Sequence, residues 1–403
     1  MKLMPKEMQG CMHKTEKINH PSSLPAYTNH AQHIPARFLQ ILLRGHYRIL
    51  NGLIAGMQQI LFKPITDKSV IRKVLIFRTG SLGDSICALP AIYSICKNFP
   101  HAQIDILTNA GAKDLVSMGA LIDKTLVNDI IDYYGLPKNQ LFQKLRASRY
   151  DLFIQLPQYD APWWRQARDI LIARAIGVKY AFGWQVACTR FLAHFQARWM
   201  RFTNERDRLL QILVQNGLQN FGYVYPLAIT RSIKEKVHQL VFTHALTHKQ
   251  DNIGLVVGAK RLQNLWPIEY FKKLADEWRQ RGKNILIFGG AGDRARAAQI
   301  NGERIFNFCG ELTPLETAEM MKYCSLIVSN DTGPMHMAYA VGTPVIAIFS
   351  GHDYPGKWYP PDDGKNIVLR SDILLCKKCS HGEAQENTCL KRIDVQEVIN
   401  MLR

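Results

Sequence analysis

Apolar residues gather along this chain in short runs that stop at glycine, aspartate or asparagine. The runs at Val74–Phe77 (VLIF), Gln103–Leu107 (QIDIL), Leu152–Leu156 (LFIQL), Ile253–Ala259 (IGLVVGA), Asn284–Phe288 (NILIF), Ser325–Asp331 (SLIVSND) and Pro344–Ser350 (PVIAIFS) read as buried strands. Between them the pattern turns helical: up to Lys97, over Trp164–Ala175, over Ile268–Arg281, and over GPMHMAYAVG. Strands separated by helices predict parallel sheets built from βαβ units. Two such series predict an α/β chain of two doubly wound domains with a cleft between them. The divisions expected are 70–235 and 236–403, with the crossover near Pro226–Gln250.

Ahead of these domains lie two other segments. Residues 1–30 are polar, carry histidines and are broken by prolines, which predicts a disordered leader without a signal peptide. Residues 31–69 carry Phe38, Ile41, Leu42, Tyr47 and Leu50 at helical spacing, with Arg37, Arg44, Arg48 and Lys63 among them. That is a basic amphipathic helix, which can lie on an anionic bilayer or pack on the protein's own body.

Composition narrows the classes. Apolar content of 47% with 21% charged residues describes a globular chain. An excess of 51 basic over 33 acidic residues gives +18, a surface suited to nucleic acid, an anionic membrane or phosphorylated substrates. No RNA-binding aromatic signature or zinc-finger array is present, which argues against nucleic acid. No apolar run reaches the ~18 residues of a membrane span. The nine cysteines are an odd number and mostly scattered, as in a reducing cytosol.

Four strand-to-helix loops carry candidate chemistry. The first, Thr79-Gly80-Ser81-Leu82-Gly83-Asp84, matches neither phosphate fingerprint. Asp84 either caps the following helix or acts as a general base facing the cleft. In the second, Ser329-Asn330-Asp331-Thr332-Gly333-Pro334-Met335-His336, proline suits the first helical turn. The N–H groups of Thr332 and Gly333 are candidates to hold a diphosphate, with Asp331 and His336 converging on the same strand end. The third runs through Gly258, Ala259, Lys260 and Arg261 to Trp266-Pro267; its cations form a phosphate clamp or simply solvated surface. The fourth, Gly289 to Asp293, brings a carboxylate that would suit a ribose hydroxyl.

Two further stretches stand apart. Pro162-Trp163-Trp164-Arg165-Gln166-Ala167-Arg168 mixes aromatics and cations, as a sugar-phosphate or lipid headgroup would require, though packing of both tryptophans into the first domain is the favoured expectation. Cys376, Cys379, His381 and Cys389 have partial metal-ligand spacing, open to a structural zinc or iron but more in keeping with free thiols or a labile disulfide; no catalysis is assigned to them.

VLIFRTGSLGDSICALPAIYSI, GAKRLQNLWPIEYF, FGGAGDRARA and CGELTPLETAEMMKYCSLIVSNDTGPMHMAYAVGTPVIAIF, in this order from Lys73 onward, resemble the bacterial ADP-heptose–lipopolysaccharide heptosyltransferases, with the D-T-G-P-M-H block the most specific part. The resemblance implies the GT-B architecture, two Rossmann-like domains facing a central cleft, and an inverting, metal-independent transferase needing no cofactor beyond its nucleotide-sugar donor. It makes Asp84 the base on the acceptor hydroxyl. It places Gly258, Ala259, Lys260, Arg261, Asp293, Asp331, Thr332, Gly333 and His336 on the donor side, with Gly83, Trp164, Arg165 and Arg168 toward the acceptor. The partners implied are ADP-heptose and a lipid-linked glycan at the cytoplasmic face of the inner membrane. One departure concerns the donor: the family often has lysine two residues before Trp-Pro, and here Asn264 stands there. A GT-B transferase for another nucleotide sugar, a non-catalytic nucleotide-sugar or glycan binder, and a polybasic membrane scaffold are the competing readings.

Overall fold

The computed structural model describes residues 33–109, 118–189, 202–351, 354–370 and 388–401. The expected leader, 1–30, lies outside them.

Five strands form the first sheet: β1 (Lys73–Phe77), β2 (Gln103–Thr108), β3 (Asp129–Asp132), β4 (Leu152–Gln155) and β5 (Tyr180–Phe182). Their order is β3-β2-β1-β4-β5 and every pairing is parallel. The second sheet contains β6 (Asn252–Val256), β7 (Asn284–Phe288), β8 (Ile305–Asn307), β9 (Leu326–Asn330), β10 (Val345–Phe349) and β11 (Ile367–Arg370). It runs β11-β10-β9-β6-β7-β8, again all parallel. Helices cover both faces of a parallel sheet, so the central strands are mostly apolar, with polar residues only at their ends; β6, β7, β9 and β10 are buried along their whole length.

In each sheet the strand order reverses beside the first strand, between β1 and β4 and between β6 and β9. Ligand crevices in open α/β sheets form at such points, outside the carboxyl ends of the strands. All four loops singled out in the sequence leave carboxyl strand ends: those of β1, β6, β7 and β9.

Nine helices matter below: α1 (His33–Leu61), α2 (Leu82–Asn98), α3 (Trp163–Ala175), α4 (Glu205–Gln215), α5 (Arg231–Thr243), α6 (Ile268–Gln280), α7 (Pro314–Met321), α8 (Gly333–Ala340) and α9 (Val395–Asn400). Helix α2 is walled in by α4 of its own domain and by α8 of the other. That explains its nearly continuous burial from Gly83 to Cys96. Helix α5 packs on α7, and α9 on α6. The division expected at 235/236 therefore cuts a helix that packs as a unit on the second domain, and the boundary belongs ahead of Arg231.

Helix α1 packs on α3. Its buried face brings Ile54 and Leu43 inward, and Asn51 bonds Val186 through both main-chain N–H (2.8 Å) and C=O (3.0 Å). Of the two roles open to the basic extension, packing on the protein's own body is thus met by one face of the helix. Among the described residues no helix is long and apolar enough to cross a membrane.

Candidate active site

The turn after β1 is held open by a buried asparagine. Asn109 accepts a hydrogen bond from Gly80 N (2.8 Å) and returns one to Gly80 O (2.9 Å). Three residues into the next helix, Asp84 takes hydrogen bonds on Oδ2 from Ser81 N (2.9 Å) and Ser81 Oγ (2.7 Å). The carboxylate thus caps α2, where the helix dipole also favours its charge. Its other oxygen meets Arg78 Nη2 at 3.2 Å. Both sequence readings of Asp84 therefore start from one position: it caps the helix, and its side chain remains partly open, at 18% exposure.

Arg78 is itself only 1% exposed and serves two carboxylates, Asp84 and Glu205 Oε1 at 3.0 Å. Glu205 is fully buried and is gripped from its other side by Arg208, at 2.7 and 2.9 Å. Charge in this group is balanced, two guanidinium groups against two carboxylates, as buried charges require. Main-chain oxygens take further donors: Arg78 Nη1 reaches Leu156 O and Pro157 O at the end of β4, and Arg208 also reaches Pro157 O, while Arg78 Nε is buried without a hydrogen-bond partner among the described residues. The network fixes Asp84 against the switch point of the first sheet.

Opposite lies the start of α8. Leu82 packs so closely on Gly333 that a Cβ there would fall 2.7 Å from Leu82 Cδ2, and Gly83 is pressed equally close to the His336 ring. Two helix N-termini, one from each domain, thus meet in close packing. His336 is 3% exposed, with Nδ1 2.7 Å from Tyr339 OH and 3.5 Å from Cys87 Sγ, and its ring edge against Trp358. Burial lowers its pKa to about 3, with the nearby Arg206 acting in the same direction, so the imidazole is neutral. The structure puts His336 and Gly83 together in the domain contact.

The other predicted positions fall around the second sheet's switch point. Asp331 Oδ2 accepts a hydrogen bond from Asn264 Nδ2 at 3.1 Å, while Asn264 Oδ1 accepts one from Ser350 Oγ at 2.9 Å. Thr332 is the N-cap residue of α8. Gly258 is buried, Ala259 partly exposed, and Lys260 and Arg261 are exposed on the loop after β6. Gly258 is glycine for a specific reason: a Cβ would lie 2.0 Å from Asp293 Oδ1. Asp293 in turn caps its own turn through Gly290 N at 2.9 Å.

In the first domain, a cavity of about 280 Å³ opens at the carboxyl ends of β1 and β4, lined in part by Thr79, Gln158, Lys138, Arg165 and Arg168. Arg168 pairs with Asp169 at 2.6 Å, and Arg165 lies 5.7 Å from the Trp164 ring. Trp163 and Trp164 are each 53% exposed, so the expectation that they pack into the first domain is overturned. They start α3, and its inward positions are taken by Gln166, Asp169, Ile170 and Ala173 instead.

Of the cysteine cluster, Cys376, Cys379 and His381 lie outside the described residues. Cys389 is buried in the second core and accepts a hydrogen bond from Gly351 N at 3.5 Å. Among the described residues no group of three or more His, Cys, Asp or Glu is arranged to hold a metal ion.

Several residues that build the site escaped the sequence reading. Asn330 donates to Val257 O (2.9 Å) and accepts from Trp266 N (3.0 Å); Arg296 donates to Val257 O (3.0 Å) and Trp266 O (2.7 Å). Together they pin the loop after β6. Segment 202–206 straps the domains: Phe202 N donates to Pro355 O and Glu205 N to Lys357 O, each at 2.9 Å, while Asn204 Nδ2 donates to Tyr359 O at 2.6 Å. Asn330 alone had a signal, beside Asp331 at a strand end.

Paired Rossmann sheets, meeting through helix N-termini at their switch points, define the GT-B class of glycosyltransferases, and the protein is such an enzyme. It belongs to glycosyltransferase family 9 (heptosyltransferase), whose model matches residues 139–389. Lipooligosaccharide heptosyltransferase 2 of Haemophilus influenzae is 31% identical over 317 residues, 74% of this chain and 88% of that protein. Its counterpart in Haemophilus ducreyi is 24% identical over 347 residues, covering 80% and 95%. In fold, the chain is similar to the family 9 glycosyl transferase of Veillonella parvula, with a TM-score of 0.63, 21% identity and coverage of 82% and 95%. It is also similar to Escherichia coli ADP-heptose lps heptosyltransferase II, with a TM-score of 0.58, 21% identity and coverage of 82% and 97%.

Proposed function

We propose that the protein transfers a heptose from ADP-heptose, with inversion at the anomeric carbon, to a lipopolysaccharide-core or related lipid-linked glycan at the cytoplasmic face of the inner membrane. The observation that carries this reading is the position of Asp84, a carboxylate fixed at the switch point of one sheet directly across from the helix that starts at Gly333.

In the reaction, the acceptor oxygen attacks the anomeric carbon, its proton passes to Asp84, and the bond from that carbon to the diphosphate breaks. Negative charge grows on the leaving ADP. The N–H groups at Thr332 and Gly333, with Lys260 or Arg261 from the exposed loop, are suited to stabilise it. In this reading these groups replace a metal ion. Asp331 and Asp293 would face the sugar and nucleoside, and His336 would hold α8 in place as a neutral group. The cavity by Arg165, Arg168 and Trp164 is suited to an acidic acceptor sugar.

Purified protein and Asp84→Asn, given ADP-heptose and core-truncated lipopolysaccharide, test this by mass spectrometry. The wild type should add one heptose and release ADP. Asp84→Asn should lose about 10²–10⁴-fold in rate while binding donor normally; loss of donor binding in that variant would refute the role of base. A second donor is favoured by one observation only: Asn264, where the family often has lysine, is a neutral group bonded to Asp331 and Ser350. Transfer of another sugar from a nucleotide-sugar panel would establish it.

A further inference from the structure

Helix α1 has two apolar faces, and among the described residues only one is covered. Ile54 is buried against the first domain, with Tyr47, Leu50, Met57 and Leu61 partly so, and Leu43 is buried on the same side of the helix. The other face leaves Ile41, Leu42, Ile49, Leu53 and Ile60 open, at 65%, 52%, 67%, 64% and 84% exposure. At about 100° per residue, these five and Gly45, Gly52 and Gly56 fall within roughly a third of the helix circumference. Among the described residues nothing approaches the three glycines: a Cβ on any of them would meet no atom within 4 Å. Continuous apolar stripes of this length are seldom left to water without a purpose.

Charge identifies the occupant. Exposed Arg44 and Arg48 run along one edge of the stripe, and exposed Lys63 follows the helix end. A second copy of this chain would bring the same cations, on a molecule of net charge +18, against themselves. An anionic bilayer instead offers headgroups to the arginines and an acyl boundary to the isoleucines and leucines. We propose that the open face of α1 is a docking surface for an anionic lipid bilayer. The surface is separate from the transfer site, so the inference stands whatever the donor. It has a consequence for the acceptor, because α1 packs on α3, whose Arg165 and Arg168 line the cavity at the end of β1. A lipid-linked glycan would then meet the enzyme with its sugar end toward that cavity.

The full-length protein is mixed with vesicles of phosphatidylglycerol and phosphatidylethanolamine, or of phosphatidylcholine alone, and bound protein is read by flotation. Binding is expected to the anionic vesicles, to weaken with salt, and to be minor on phosphatidylcholine. The double change Ile49→Asp and Leu53→Asp, at exposed positions that leave the thermal melt unchanged, should weaken binding by about tenfold or more. Arg44→Gln with Arg48→Gln should weaken it roughly 30-fold at low salt. Wild-type protein that stays off anionic vesicles overturns the proposal. So does an aspartate variant that binds as well as wild type, or a dimer that the aspartates dissolve while vesicle binding is untouched. Transfer to a detergent-dispersed acceptor should be unchanged in the aspartate variant, which separates failure of docking from failure of the proposed chemistry.

Discussion

Gly83 of the first domain lies so close to His336 of the second that a methyl group on its Cα would sit 2.8 Å from the imidazole Cδ2. Gly333 and Leu82 repeat the arrangement in the opposite sense. Glycine on each side therefore sets how near the two helix starts can come. Gly83→Ala should overpack this contact, costing about 1–3 kcal/mol. A lower melting temperature and a larger radius of gyration in X-ray scattering are the expected readings. A variant with both unchanged would show that the domains do not meet here in solution.

His336 makes the same contact sensitive to acid. In the unfolded chain its imidazole titrates near its usual value of about 6.5, whereas in the fold its pKa is about 3. Between those values the unfolded state binds the extra proton, so stability falls as pH drops through this window. The loss approaches about 1.4 kcal/mol per pH unit well below 6.5 and levels off near the folded pKa. Denaturation midpoints from pH 7 to pH 4 should show a shallower slope in His336→Asn, once its own lower stability at pH 7 is subtracted. Equal slopes would mean that the imidazole is not buried as described.

Arg78 and Glu205 should be energetically inseparable. Removing either partner leaves a buried charge short of its counter-charge, and breaking such pairs typically costs about 3–5 kcal/mol. A double-mutant cycle with Arg78→Met and Glu205→Gln, followed by urea denaturation, should give a coupling energy of about 1–3 kcal/mol. Additive effects would break the network that positions Asp84.

Gly258 and Asp293 form the second domain's counterpart. With alanine at 258, the Asp293 carboxylate must swing away from Gly290 N, losing a cap worth about 1 kcal/mol and disturbing the loop that carries Lys260. Calorimetry with ADP should then show weaker binding than wild type, with a small fall in stability. Unchanged nucleotide affinity would move the donor away from this loop.

The central strands were legible in the sequence because both faces of a parallel sheet must be apolar. LIVSN at β9 and NILIF at β7 leave no alternation to misread. Edge strands β3, β5, β8 and β11 are three or four residues long and, apart from β5, mostly half-buried, so Asp129–Asp132 or Ile305–Asn307 carried no comparable signal. Loops leaving strand ends were visible through their glycines and prolines. What supports them was not. Arg78, Glu205 and Arg208 look like ordinary surface charges in the sequence, and only tertiary folding brings Glu205 to Arg78 across the first domain. The tryptophans at 163 and 164 erred in the other direction, since their size implied burial but the helix turns them outward.

The strap at 202–206 bears on how the chain matures as it is made. Glu205 completes the charge group around Arg78, yet its own backbone is clasped by Lys357, a residue of the far domain. During synthesis the first sheet emerges with every strand it needs, but the clasp must wait until nearly the whole second domain has left the ribosome. The first domain would therefore acquire its final electrostatic setting late, and a nascent or truncated chain would hold a folded sheet without the completed charge group around Arg78 and Asp84.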